Sequence, residues 1–225
     1  PSHAIVVLTE TTGKTLAGGE LVQWREKRGF TNRLVFHFDD GSLWDETVHF
    51  TTGKTLRVVS YHQVQRGPSF PGAASEVRFD RSGHYDARTT SADGAEEHDD
   101  GTTEIPDDVY NGMTSTLLKN LGGAAATVHL LALRPKPILL DLSLTPEGTD
   151  RFWVGPTGFT ATRFLVTPRV TGAKGVVATV IGKQPDPVRF WMTTGRVPAF
   201  VRFEGSLYVG GPTWRIELTS ARWKR

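Results

Sequence analysis

Apolar and polar residues alternate with a period of two along most of the chain. Asn32–Asp39 carries the clearest case, with Leu34, Phe36 and Phe38 against Arg33, Val35 and His37. Such alternation is the mark of a strand with one buried face. Asp39-Asp40-Gly41 then predicts a hairpin whose loop has three residues, with Gly41 in the left-handed conformation. That loop length sets Trp44, Val48 and Phe50 on the face of Leu34, Phe36 and Phe38; a two-residue loop would mix polar and apolar groups on each side.

The same reasoning predicts strands at Ala4–Leu8, Leu21–Arg28, Leu56–Gln65, Glu76–Asp80 and His84–Thr90, the last two turning at Ser82-Gly83. Further along, Thr127–Leu133 and Ile138–Leu144 pair around Pro135-Lys136-Pro137. Arg151–Val154 and Thr160–Val170 are split by Gly155-Pro156-Thr157-Gly158. Val176–Ile181, Val188–Thr193, Ala199–Phe203 and Trp214–Leu218 complete the set. Strands joined by tight turns are antiparallel, and no strand–helix–strand rhythm appears.

One stretch breaks the period of two. From Pro106 to Leu121, a 3.6-residue period puts Val109, Tyr110, Met113, Leu117 and Leu121 on one face, with Asn111, Ser115 and Lys119 opposite. Pro106 suits a first helical turn, Asp107 and Asp108 suit its positive end, and Gly122-Gly123 supplies the left-handed stop. The segment before it, Asp93 to Asp108, carries eight carboxylates and no Lys or Arg, and is expected to be a solvated connector. The fold expected is therefore mainly β: residues 1–225 as a single domain, in a single large, strongly curved antiparallel sheet. This half-barrel or open barrel carries one helix, residues 106–121, on its concave face.

Composition adds turns and a core: 24 Gly, 13 Pro, 38% hydrophobic and 10% aromatic residues in 225. Charge adds an asymmetry. Residues 1–133 hold 12 basic and 18 acidic side chains, net −6, and residues 134–225 hold 14 basic and 6 acidic, net +8. The simpler account is that the halves complement each other within one sheet. The overall +2 gives no reason to expect a nucleic-acid partner. There is no cysteine, hence no disulfide, and no apolar run approaches the roughly 20 residues of a membrane helix. A chain that starts at Pro1 fits a mature exported protein without its signal peptide.

Candidate chemistry is sparse. Thr-Thr-Gly-Lys-Thr-Leu occurs at 11–16 and 51–56, but a phosphate loop needs a glycine where Leu8 and Val48 stand, and strands rather than helices follow. The seven histidines show no metal-ligand spacing. His37, Asp45 and His49 share the polar side of the first hairpin, a trio suited to acid–base work but unaccompanied by a nucleophile elbow. No catalytic residue, cofactor or metal is expected. Aromatic residues on a sheet's inner face either fill a core or line an apolar pocket. The pocket version uses Trp24, Phe36, Trp44, Val109, Met113, Leu117, Trp153 and Trp191.

Val188–Trp191, the turn Thr194-Gly195-Arg196 and the strand Val197–Glu204, followed by Gly205–Leu218, resemble the closing strands of exported bacterial families of unknown function. Those families look related to the lipoprotein-carrier half-barrel of the Gram-negative periplasm. The resemblance implies a bent antiparallel sheet around helices and a periplasmic or secreted location. The function expected is non-enzymatic binding of a lipid or other apolar small molecule between helix and sheet, by a monomer. The alternative is an envelope structural or protein-interaction module with a filled core. A hydrolase using the His37 trio comes third.

Overall fold

The computed structural model describes residues 2–91, 93–170, 185–193 and 197–223, with only the backbone of 221–223. In chain order the elements are β1 (Ser2–Glu10), β2 (Thr15–Glu26), β3 (Gly29–Phe38), β4 (Leu43–Thr51), β5 (Arg57–Arg66), β6 (Ala74–Asp80), β7 (His84–Thr90) and β8 (Glu96–Thr102). Helix α1 (Thr114–Asn120) follows, then β9 (Ala126–Leu133), β10 (Pro137–Val154), β11 (Thr157–Val170), β12 (Val188–Thr193), β13 (Phe200–Gly205), β14 (Trp214–Leu218) and β15 (Ala221–Trp223).

These strands form one sheet in the order β15-β10-β11-β12-β13-β14-β1-β2-β3-β4-β5-β6-β7-β8, with β9 also on β10. Among the described residues the order has two ends, so the sheet they form is open. The ladders from β2 through β8 and from β11 through β14 are antiparallel, each strand paired with its neighbour in sequence. The mainly β, antiparallel class is as expected. The first hairpin follows the predicted register: Phe36 faces Trp44, Phe30 faces Phe50, and Gly41 takes φ +84° in a three-residue loop.

Three expectations are corrected. The helix is seven residues long, Thr114–Asn120, not 106–121. Gly112 takes φ +64°, a left-handed value that ends any helix running through it. The preceding residues instead run alongside β9: Val109 bridges His129 in parallel, His129 N donates to Asp108 O, and Tyr110 N donates to His129 O. The predicted stop stands, with Gly122 at φ +58° and Gly123 at φ +96°.

The acidic connector is also structured, since Glu96–Thr102 is β8, paired with β7 from His84↔Thr102 to Thr90↔Glu96. Its charges find partners across the ladder: Tyr85 Oη donates to Asp99 Oδ2 at 2.7 Å, and His98 Nε2 lies 3.4 Å from Asp86 Oδ2. Finally, Ile138–Leu144 and Arg151–Val154 are one strand, β10. Glu147 and Asp150 hold the middle extended through Arg163, whose Nε lies 3.4 Å from Glu147 and whose Nη1 lies 2.8 Å from Asp150. Val176–Ile181 lies outside the described residues.

The chain divides into two compact units. Unit 1 comprises Pro1–Ile5, Leu16–Met113 and His129–Leu140; unit 2 comprises Val6–Thr15, Thr114–Val128 and Asp141–Arg225. Unit 1 buries Phe36, Val48, Phe50, Phe70, Val109 and Met113. Unit 2 buries Leu8, Leu118, Leu144, Phe164 and Met192, and α1 lies against β12.

Candidate functional site

The site of interest is on the apolar face of unit 1. Alternate residues of a strand share a face, and directly paired residues of neighbouring strands share it too. The ladders therefore place Phe30, Asn32, Leu34, Phe36 and Phe38 of β3 with Trp44, Glu46, Val48 and Phe50 of β4. On β5 the same face carries Val58, Tyr61, Gln63 and Gln65, because a bulge between His49 and Phe50 shifts the register by one.

A carboxylate thus stands in an apolar row, between Trp44 and Val48. Glu46 keeps a small share of its surface open. Burial nonetheless pushes its pKa above the ordinary value, against the opposing hydrogen bond that it accepts from Tyr61. Tyr61 Oη donates to Glu46 Oε1 at 2.8 Å. Burial, followed by the nearby Glu46 charge and this bond, raises the Tyr61 pKa well above its usual value, while an Asn111 side-chain bond works the other way.

Two donors beside Glu46 have no acceptor among the described residues: Trp44 Nε1 and Gln63 Nε2. Trp44 is 7% exposed and Gln63 6%. Gln63 sits directly opposite Glu46, and Trp44 directly opposite Gln65. Trp44 and Gln63 are consequently diagonal neighbours, about 7–8 Å apart and within reach of side chains of this length. A buried donor left unpaired costs about 1–3 kcal/mol, so two on one face are a feature to explain.

Two segments cover this face. The loop after β5 places Phe70 edge-on to Phe38 at 5.3 Å and tilted against Trp44 at 6.2 Å between ring centroids. Ser69 anchors that loop, its N donating to Ser42 Oγ at 2.8 Å and its Oγ to Asp40 Oδ2 at 2.7 Å. Gln65 Nε2 donates to Ala73 O at the loop's far end. The second cover is the strap of residues 108–113. Buried Asn111 stands in for a strand residue, its Nδ2 donating to Leu131 O and its Oδ1 accepting from Leu131 N, both at 2.9 Å. Gly112 passes so close to the sheet that a Cβ there would lie 3.0 Å from Val48 Cγ1 and 3.5 Å from Glu46 Cδ.

The eight residues expected to line a pocket are divided between the units. Phe36, Trp44, Val109 and Met113 are buried in unit 1, where Phe36 and Trp44 are direct partners on the apolar face. Trp24 belongs to unit 1 but faces Thr31, on the opposite side of the ladder. Its Nε1 donates to Glu26 Oε1 at 2.7 Å; Thr31 Oγ1 donates to that same oxygen at 3.1 Å and meets His49 Nδ1 at 2.6 Å.

Leu117, Trp153 and Trp191 belong to unit 2. Trp191 packs in a core cluster with Phe152, Ala161 and Val201. Its Nε1 donates to Asp150 Oδ2 at 2.7 Å, and Arg202 stacks 5.3 Å from its ring centre. Leu117 is buried on α1, and Trp153 is half-buried on β10.

His37, Asp45 and His49 do share the opposite face of β3 and β4. Asp45 is taken by Arg33, which donates through Nε at 2.9 Å and Nη2 at 2.6 Å. Among the described residues no three His, Cys, Asp or Glu side chains gather as metal ligands, and no helix is long and apolar enough to cross a membrane.

Glu46, Tyr61, Gln63 and Asn111 were not singled out from the sequence. The signal for Glu46 was present, because the predicted register already set it on the Trp44 and Val48 face. A carboxylate on a buried face is unusual without a partner. The protein is thus an open antiparallel β-sheet protein with a partly polar buried site. Comparison with protein-family models, curated proteins and solved structures gave no match.

Proposed function

We propose that the chain is a non-enzymatic binding protein of the bacterial cell envelope, periplasmic or secreted, that holds a lipid or acyl chain against the apolar face of unit 1. The observation that carries this reading is the pair of unpaired donors, Trp44 Nε1 and Gln63 Nε2, buried on a face that also holds Phe36, Val48 and Phe50. A permanently filled core gains nothing by keeping such donors, whereas ligand sites combine apolar walls with a few placed polar groups. On this reading the buried side chains Phe36, Trp44, Val109 and Met113 would make room for the chain, Met113 with the adaptability of an unbranched thioether.

The test is uptake by delipidated protein. Binding of a fluorescent fatty-acyl probe is expected, displaced by unlabelled acyl chains and weakened by Met113→Asp. Absence of both probe uptake and co-purified lipid removes the reading.

A second reading, a protein-interaction module of the envelope, draws on β8. This acidic strand has one described ladder neighbour, β7. Binding of a defined basic envelope protein that weakens as salt rises would favour it.

A further inference from the structure

The same site has a polar end whose chemistry selects among ligands, and this step rests on the binding reading above. Three groups converge on one face: two N–H donors without acceptors, on Trp44 and Gln63, and the Glu46 carboxylate directly opposite Gln63. Both donor side chains are more than nine-tenths buried. Donors call for an oxygen acceptor. The carboxylate calls for a hydrogen-bond donor and repels a second negative charge.

We propose that this end of the site recognises the uncharged head of an acyl-type ligand, a primary amide or a hydroxyl. The head oxygen accepts from Trp44 Nε1 and Gln63 Nε2, and its N–H or O–H donates to Glu46. Tyr61 positions the carboxylate, its Oη donating to Glu46 Oε1 at 2.8 Å, and Asn111, fixed to Leu131, bonds Tyr61. Gly112, with no side chain, lets the strap close onto Glu46; a Cβ there would lie 3.0 Å from Val48 Cγ1 and 3.5 Å from Glu46 Cδ. A carboxylate-headed chain of equal length satisfies the donors but faces Glu46, and is disfavoured at neutral pH. An amine head offers no acceptor to Trp44 or Gln63. A site built to hydrogen-bond one head rejects a chain that leaves its polar groups unpaired.

The experiment titrates the delipidated 225-residue chain with dodecanamide, 1-dodecanol and dodecanoate at pH 7, by calorimetry. Dodecanamide and 1-dodecanol are expected to bind at least about ten-fold more tightly than dodecanoate. Gln63→Leu removes a donor that every oxygen head would use, and is expected to weaken dodecanamide and dodecanoate alike, by about ten-fold. Glu46→Gln is expected to narrow the gap by strengthening dodecanoate.

Equal binding of all three chains by the parent protein overturns head selection and leaves the acyl-binding function standing. Binding of none overturns both. Unchanged dodecanamide affinity in folded Gln63→Leu, together with unchanged selectivity in folded Glu46→Gln, shows that the donors hold no ligand head, and also overturns the inference. The three-chain comparison on the parent does not depend on any variant folding.

Discussion

At the scale of the residue, Glu46 is where the sequence pattern and its environment are most at odds. It occupies a face built from Trp44, Val48, Leu34 and Phe36, and burial raises its pKa above the ordinary 4.5. The folded protein therefore binds the Glu46 proton more tightly than the unfolded chain does. Stability should fall as pH rises from about 4.5 through the folded-state value, and the loss persists above it. Glu46→Gln removes the charge while keeping an oxygen for the Tyr61 hydroxyl. The variant is expected to unfold at a higher temperature than the parent at pH 7, and the difference should shrink toward pH 4. Thermal unfolding of both proteins across that range checks it; a constant difference counts against burial of the charge. Glu46 was legible from register alone, because the three-residue loop at Asp39–Gly41 fixes the parity of β4. Gln63 was not. The bulge between His49 and Phe50 reverses the parity of β5, so Tyr61, Gln63 and Gln65 follow Val58 onto one face. A strict period of two from Val58 would have chosen Ser60, His62 and Val64.

At the scale of the element, the segment before α1 shows how a helical period can be satisfied by a chain that is not helical. Val109, Tyr110 and Met113 are buried, as their spacing demanded, yet residues 108–111 reach that burial beside β9. Gly112 supplies a local break, and the rest of what decides the outcome lies outside the segment, in the backbone of residues 129–131. Asn111 was expected on the polar side of a helix, but it is 5% exposed and exchanges two hydrogen bonds with Leu131. Asn111→Ala strands the Leu131 backbone groups and should cost about 1–3 kcal/mol. Gly112→Ala adds a left-handed penalty of about 1–2 kcal/mol to the close approach to Val48. Urea denaturation is the measurement for both. Losses below a few tenths of a kcal/mol would mean that the strap contributes little to folding. The true helix, by contrast, ends where Gly122 and Gly123 predicted, because the left-handed stop is a local property.

At the scale of the whole molecule, the antiparallel class and most neighbours in the sheet follow from short turns, which is why they were readable. The pairings β1 with β14 and β10 with β15 join residues far apart in sequence, and only the folded chain reveals them. An open sheet must also protect its edges, since an unpaired edge is a template for another strand. At one end of the order lies β8, EEHDDGT, whose carboxylates looked in sequence like the mark of a solvated loop. The topology suggests a testable role for them: Glu96, Glu97 and Asp100 are expected to keep a hydrogen-bonding edge from accepting a second copy. Asp99 is excluded from this set because it accepts from Tyr85. The triple substitution E96Q/E97Q/D100N leaves the β7–β8 ladder in place and removes that repulsion. Light scattering should then show mass rising with concentration in the variant, while the parent stays constant over the same range. Equal masses for the two proteins at every concentration would show that the acidic edge does not control self-association, and would leave its charges free for a basic partner.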